Sequence, residues 1–298
     1  MTSLGDGLRD GPKQLLSPRQ VARAIGISES SLKRWCDRGI IPSIRTAGGH
    51  RRLRVSSVIQ FVRSSGCKLV EPDVLGLPAT AGRAQVTVRS ATVALLETLL
   101  AGDESTSRRI FLDLYLAGQS LSVICDEVIA PLFYQIGALW SRGDVQIYQE
   151  RRSCEICLRL LYELRSALPP LGDDAPSALG ASLEGDHYLL PTSMAGLVLR
   201  ERGWSAISLG NSLPAKAIQA AIEEHRPKLI WLAVSHIADR NAFTSSVSLL
   251  YQAALRNGAA LVMGGRALSG ELRKQLKYSA FCDTMQHLEM FAASIRAV

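Results

Sequence analysis

From residue 177 to the end of the chain, short apolar runs alternate with amphipathic segments, and few architectures accept that order. The runs lie at 178–183, 204–209, 228–235, 259–263 and 278–282; the amphipathic segments lie at about 189–202, 214–225, 241–256, 269–277 and 286–297. A run without polar alternation suits a strand covered on both faces, and a helix between each pair of strands forces parallel crossovers. Residues 177–298 are therefore expected to form a doubly wound α/β domain with a parallel sheet. Ligands of such sheets sit at the carboxyl ends of the strands. Here that rim would be built from GDHYLLP (185–191), Gly210-Asn211, Ser235-His236 and Gly264-Gly265, a floor wide enough for a large ligand.

The other end of the chain differs in charge. Residues 1–68 hold 13 Lys/Arg against 4 Asp/Glu, a net of +9, so the remaining 230 residues sum to −2 of the chain's +7. A small basic module on a near-neutral body points to nucleic acid as the partner of that module. Its local signals agree. Ser17-Pro18 joins an N-cap residue to a proline at the first helical position, and Val21, Ala22 and Ile25 carry the helix to Gly26. Ser28 caps a second helix, with Leu32 and Trp35 inward and Lys33, Arg34 and Arg38 outward, ending at Gly39. Two short helices about a glycine turn make a helix-turn-helix. Ser30, Ser31, Lys33, Arg34 and Arg38 are candidate groove contacts. IRTAGGHRRLRV then reads as a β-hairpin with Ala47-Gly48-Gly49 at its tip, and Val55 to Arg63 as a closing helix. Arg45, His50, Arg51, Arg52 and Arg54 on that wing suit phosphates or a minor groove. The stretch from Ser17 to Leu53 resembles the winged helix-turn-helix of the MerR family, which implies binding of double-stranded DNA, with phosphate contacts giving most of the affinity.

Between these ends, the expected organisation is a flexible N-terminus over 1–15, the winged module over 16–66 and a flexible Gly/Pro/Ser-rich linker over 67–85. Residues 86–168 follow as a four-helix bundle. Leu95, Leu96, Leu99 and Leu100 form one apolar stripe of that bundle. Ile110, Leu112, Leu114 and Leu116 mark a second helix, Val123 to Trp140 a third and Ile147 to Leu168 a fourth. The fold class is thus multidomain, α plus α/β. Trp140 and, after nine residues, Glu150-Arg151 could project onto a flat ligand; the plainer reading is a core tryptophan and a surface pair. Cys154 and Cys157 share a helix face, and without a second CxxC a metal site is not expected there. The six cysteines are dispersed, no apolar run is long enough to span a bilayer, and the N-terminus has no secretory core, so a cytoplasmic chain is expected.

Reader, bundle and Rossmann-like domain in this order resemble the CarH/LitR class of light-responsive, cobalamin-binding transcription regulators, over nearly the whole chain. The resemblance implies cobalamin between bundle and α/β domain, with cobalt ligated from below by the histidine of a D/E-x-H-x-x-G loop. The nucleotide tail would enter past an LG turn, here Leu209-Gly210, and a GG pair, here Gly264-Gly265; Ser235 lies on the same rim. A Trp-x9-Glu-His pattern would cover the upper face, matched by Trp140 and Glu150 but with Arg151 in place of histidine. The loop departs too. Asp186 takes the acidic position, Tyr188 the ligand position and Pro191 the glycine; a one-residue slip would offer His187 instead. The candidate metal ligand is therefore His187 or Tyr188. Cobalamin, another tetrapyrrole such as haem held by a phenolate, or no cofactor at all each remain open. The class also implies a repressor of carotenoid or light-response promoters working as a dark homodimer or tetramer. Without a substrate domain or an acid–base cluster, an enzyme is not expected.

Overall fold

The computed structural model describes residues 15–82 and 87–296. The expected flexible N-terminus lies outside the described residues except at Leu15, as do the last residues of the expected linker. The chain divides into two compact units, one running to Ser120 and including Ala138–Pro169, the other comprising Leu121–Gly137 and everything from Pro170.

In the first unit, β1 (Leu15–Leu16), α1 (Pro18–Ala24), α2 (Glu29–Asp37), β2 (Ile44–Arg45), β3 (Arg51–Arg54) and α3 (Val55–Ser65) make the winged module. The capping signals act as read. Gln20 N donates to Ser17 Oγ at 3.3 Å while Ser17 N donates to Gln20 Oε1 at 2.9 Å, a capping box around Pro18. Ser31 N donates to Ser28 Oγ at 3.1 Å. β3 pairs antiparallel with β2 and, on its other edge, with β1, a strand the sequence did not announce. Val21, Leu32, Ile41, Leu53 and Val58 form the core, and Trp35 stacks on Phe61 with centroids 5.1 Å apart.

The expected flexible linker is corrected for residues 67–82. Val70 N and Glu71 N both donate to Ala24 O, at 2.8 and 3.2 Å, and Arg23 pairs with Glu71 at 2.7 Å. A 3-10 turn at Pro72–Leu75 follows, and Leu69, Leu75 and Ala81 are buried. Gly82 N donates to Asp113 Oδ1 at 2.6 Å, and burial pushes that carboxyl above its ordinary range. Buried apolar groups and satisfied backbone fix the segment, whereas its Gly/Pro/Ser content had suggested mobility.

The helical part contains α4 (Val88–Ala101), α5 (Glu104–Leu116), α6 (Leu121–Val123), a π-helical stretch (Ile124–Ile129), α7 (Ala130–Ser141) and α8 (Ile147–Ala167). α5 packs against α3, α4 and α8, which is why Ile110, Leu112, Leu114 and Leu116 are all buried although they do not share one face. Arg108 and Arg159 bind Glu163 and Glu104 between α5 and α8. Hydrogen bonds from Thr106 and Ser105 to Asp103 hold α5's N-terminus and draw its carboxyl down to about 2, the Thr106 side chain contributing most. Arg63 stacks 3.5 Å over the Tyr115 ring and donates to Gln119 O at 2.9 Å, so the winged module is docked on these helices.

The second unit holds the parallel sheet of β4 (Ser177–Ala181), β5 (Ser205–Ser208), β6 (Leu229–Ala233), β7 (Ala260–Gly264) and β8 (Ala280–Phe281). Its order is β5-β4-β6-β7-β8, all parallel. The intervening helices are α9 (Leu189–Glu201), α10 (Ala215–His225), α11 (Arg240–Arg256), α12 (Gly270–Arg273) and α13 (Met285–Arg296). Two cores form, one on each face. Ile230 and Leu232 pack with Ile218, Val247 and Leu250; Leu229 and Trp231 pack with Ala195, Leu199, Leu288 and Ala292. The segment Leu121–Gly137, expected in the bundle, counts with this unit. Leu121 N donates to Glu201 at 2.8 Å, and Asp126 accepts Met285 N and Gln286 N at 2.8 and 2.9 Å, capping α13. Leu121–Ser141 is, among the described residues, the helix long and apolar enough to cross a membrane; Ile124, Cys125, Val128, Ile129, Leu132 and Ile136 of it are buried in the protein.

Candidate DNA-reading face and sheet rim

An open cleft of about 560 Å³ lies between the start of α1, α2 and the wing, with Ser17, Arg19, Lys33, Arg45, His50 and Arg52 on its walls. Arg38, Arg45 and His50 are exposed, and Arg52 and Arg54 are half-buried. Gly49, with φ +76°, lets the wing turn back so that Arg45 and Arg51 pair across the ladder. Lys33 is balanced by Glu29 at 2.7 Å, one helical turn earlier. Ser30 and Ser31 hydrogen-bond Ser28 Oγ at 3.0 and 2.9 Å, and Arg34 donates to Ser31 Oγ at 3.2 Å.

Arg51 needs a correction. Expected on phosphate, its side chain is only 16% exposed; it ion-pairs with Asp37 and donates to Lys33 O at 3.0 Å. Its guanidinium straps the wing to the end of α2. Position in a basic run could not reveal this, because both partners lie on a different element.

On the sheet rim the loop after β4 is clamped rather than open. Asp186 is 2% exposed. Its Oδ1 accepts Tyr188 N at 3.1 Å, and its Oδ2 accepts Ser235 N and His236 N at 2.6 and 3.2 Å. The carboxylate thus bridges the loops after β4 and β6, across the switch point of the sheet. Ser182 Oγ donates to Asp186 O at 2.9 Å, Gly185 N to Ser212 Oγ at 3.1 Å and Asn211 Nδ2 to His187 O at 2.8 Å. His187 is exposed; Tyr188, 38% exposed, has the Arg266 guanidinium 5.5 Å from its ring centre. Pro191 stands in the first turn of α9, where a missing N–H removes no helical hydrogen bond.

The glycine pair answers to the sheet. A Cβ on Gly264 would overlap Cys282 O, and Gly265, at φ +135°, would put one on Val234 O. Gly210, at φ +100°, faces open space, and its N donates to Ser208 Oγ at 3.4 Å. On the helical side Trp140 is 53% exposed, so the plainer reading of it as core is corrected. Glu150 and Arg151 form an ion pair at 3.5 Å, and Glu150 also accepts from Cys154 Sγ at 3.5 Å. Burial pushes the Cys154 thiol up to about 12 and Cys157 higher still, which disfavours thiolate chemistry at the CxxC. Among the described residues no group of three or more metal-ligating side chains converges.

Sequence reasoning missed one cluster. Trp231, 2% exposed, donates from Nε1 to Thr192 Oγ1 at 3.0 Å, and Thr192 lies 3.3 Å from Ser208 Oγ. The available signal was a tryptophan in an apolar strand with glycines on neighbouring elements. These rim residues do not fit a histidine-ligated corrinoid: His187 is exposed, and the loop that would have to slip is held by hydrogen bonds through Ser182, Asp186 and Ser212.

Residues 15–66 match a helix-turn-helix domain, and residues 93–165 match a B12 binding domain. The HTH-type transcriptional repressor CarH of Myxococcus xanthus is 29% identical over 265 residues, 83% of this chain and 87% of that protein. CarA, a repressor from the same organism, is 28% identical over 231 residues, 72% of this chain and 75% of the other. In fold, a Methanosarcina barkeri monomethylamine corrinoid protein superposes with a TM-score of 0.57 at 13% identity, over 71% of this chain and 100% of its own. The order of a basic helix-turn-helix reader, a helical B12-binding-type domain and a parallel-sheet domain makes the chain CarH-like, similar along most of its length to these transcriptional repressors.

Proposed function

We propose that the chain represses transcription by gripping operator DNA with the cleft between α2 and the wing, as a homo-oligomer that brings several readers to one site. The observation that supports this most is the open cleft walled by Lys33, Arg45, His50 and Arg52, with Arg38 exposed at the end of α2, in a module with net charge to spare. Solvated cations meet phosphates at little desolvation cost and gain from counterion release. Adding readers to one particle raises avidity without any new contact. The chain acts as a regulator in the cytoplasm and catalyses no reaction of its own. Arg45→Ala and Arg52→Ala in the full chain should each lower the slope of log affinity against log salt by about 0.9 per lost phosphate contact. Unchanged binding in both variants, measured by anisotropy on a selected duplex, would remove the wing from the interface.

A tetrapyrrole effector is the second reading, favoured by the B12-domain match and by Trp140, which stands exposed at the end of α7. Cobalamin is the first choice and haem, through the Tyr188 phenolate, the other. Light control belongs to this reading alone. Absorption spectra of the purified protein, kept dark and then illuminated, test it; a protein that takes up neither cofactor refutes it.

A further inference from the structure

Gly180 in β4 and Gly196 in α9 both abut the indole of Trp231. A Cβ on Gly180 would fall inside that ring system, and one on Gly196 would lie 3.3 Å from its benzo edge. The layer between the sheet and α9 is therefore shaped around a flat fused bicycle. Its polar edge is provided for as well, since Nε1 donates to Thr192 Oγ1, which pairs with Ser208 Oγ. Ser208 Oγ also receives the N–H of Gly210, so the LG turn is linked by hydrogen bonds to the indole behind it. The resemblance to cobalamin-binding regulators implies that a nucleotide tail would pass into this interior beyond Leu209-Gly210. An indole and the benzimidazole of such a tail have nearly the same size and shape. A close-packed interior has no room for both.

We infer that Trp231 is a resident substitute for the tail: the α/β domain does not take up the nucleotide end of a corrinoid, whose benzimidazole stays on its own cobalt. The inference rests on the tetrapyrrole reading and leaves the DNA reading untouched, since Trp231 lies in the sheet and the reader is measured separately by anisotropy. Two further observations agree with it. His187 stands exposed with its carbonyl held by Asn211, and Asp186 already bridges the loops after β4 and β6.

The full-length protein is incubated in the dark with adenosylcobalamin, desalted and scanned. Retention with a base-on spectrum is the expected result; retention with a base-off spectrum overturns the inference, and no retention refutes the tetrapyrrole reading on which it rests. Trp231→Gly leaves a bicycle-sized hole, and apolar cavities of that kind accept flat aromatics. Free 5,6-dimethylbenzimidazole should raise the melting temperature of the Trp231→Gly protein by a few degrees, on the order expected for a ligand binding only the folded state, and leave the parent unchanged. A folded variant as indifferent as the parent would show that the slot is not tail-shaped. Should the variant fail to fold, the spectrum of the parent still decides.

Discussion

The DNA-reading cleft and the rim of the parallel sheet are both lined with polar side chains, yet they spend them differently. In the reader, Arg38, Arg45 and His50 stand exposed, and Arg51 ion-pairs with Asp37. On the rim, both oxygens of Asp186, the hydroxyls of Ser182 and Ser212 and the amide of Asn211 are committed to backbone partners. A surface that meets a polyanion keeps its cations hydrated and movable. Where hydrogen-bonding capacity is already consumed within the chain, the surface works as a joint. The first region is therefore built to bind; the second is built to hold its own loops in place.

The sharpest way to break this contrast is at the glycines of the rim. Gly265→Ala combines positive φ with an overlap on Val234 O and should cost about 3 kcal/mol or more, read from the urea midpoint. Gly210→Ala, with open space around it, should cost only about 1 kcal/mol. Equal midpoints for the two variants would mean that the rim is not under packing constraint. Asp186→Ala strips three backbone N–H groups of their acceptor and should cost about 2 kcal/mol. A protein that melts like the parent would show that the clamp is dispensable. In the reader the effect on stability is as small as that of Gly210→Ala. Arg51→Ala should lose about 1 kcal/mol of stability and weaken DNA binding with the salt slope unchanged, because a strap rather than a phosphate contact is removed. A slope that falls as it does for Arg45→Ala would return Arg51 to the interface.

Much of the fold was legible. Strands and helices of the α/β domain fall within a few residues of their apolar runs, although α12 and β8 are shorter than read. Ser17, Ser28 and Gly49 do locally what their residue types suggest. The linker was misread because glycine and proline report conformational freedom, and not whether Leu69 and Leu75 find a core. Trp140 stayed between two readings for the converse reason: size and apolarity do not say which face of α7 is covered, and its 53% exposure goes against the core reading.

Periodicity, caps and turn residues act over one to four positions, so the chain alone determined the order of its elements, the parallel sheet and the basic reader. The tertiary structure decided which groups are spent and which spaces are filled. Asp186 meets Ser235 from 49 positions away, and Trp231 reaches Thr192 across 39. Such pairings depend on how distant elements stack. No local spacing encodes them.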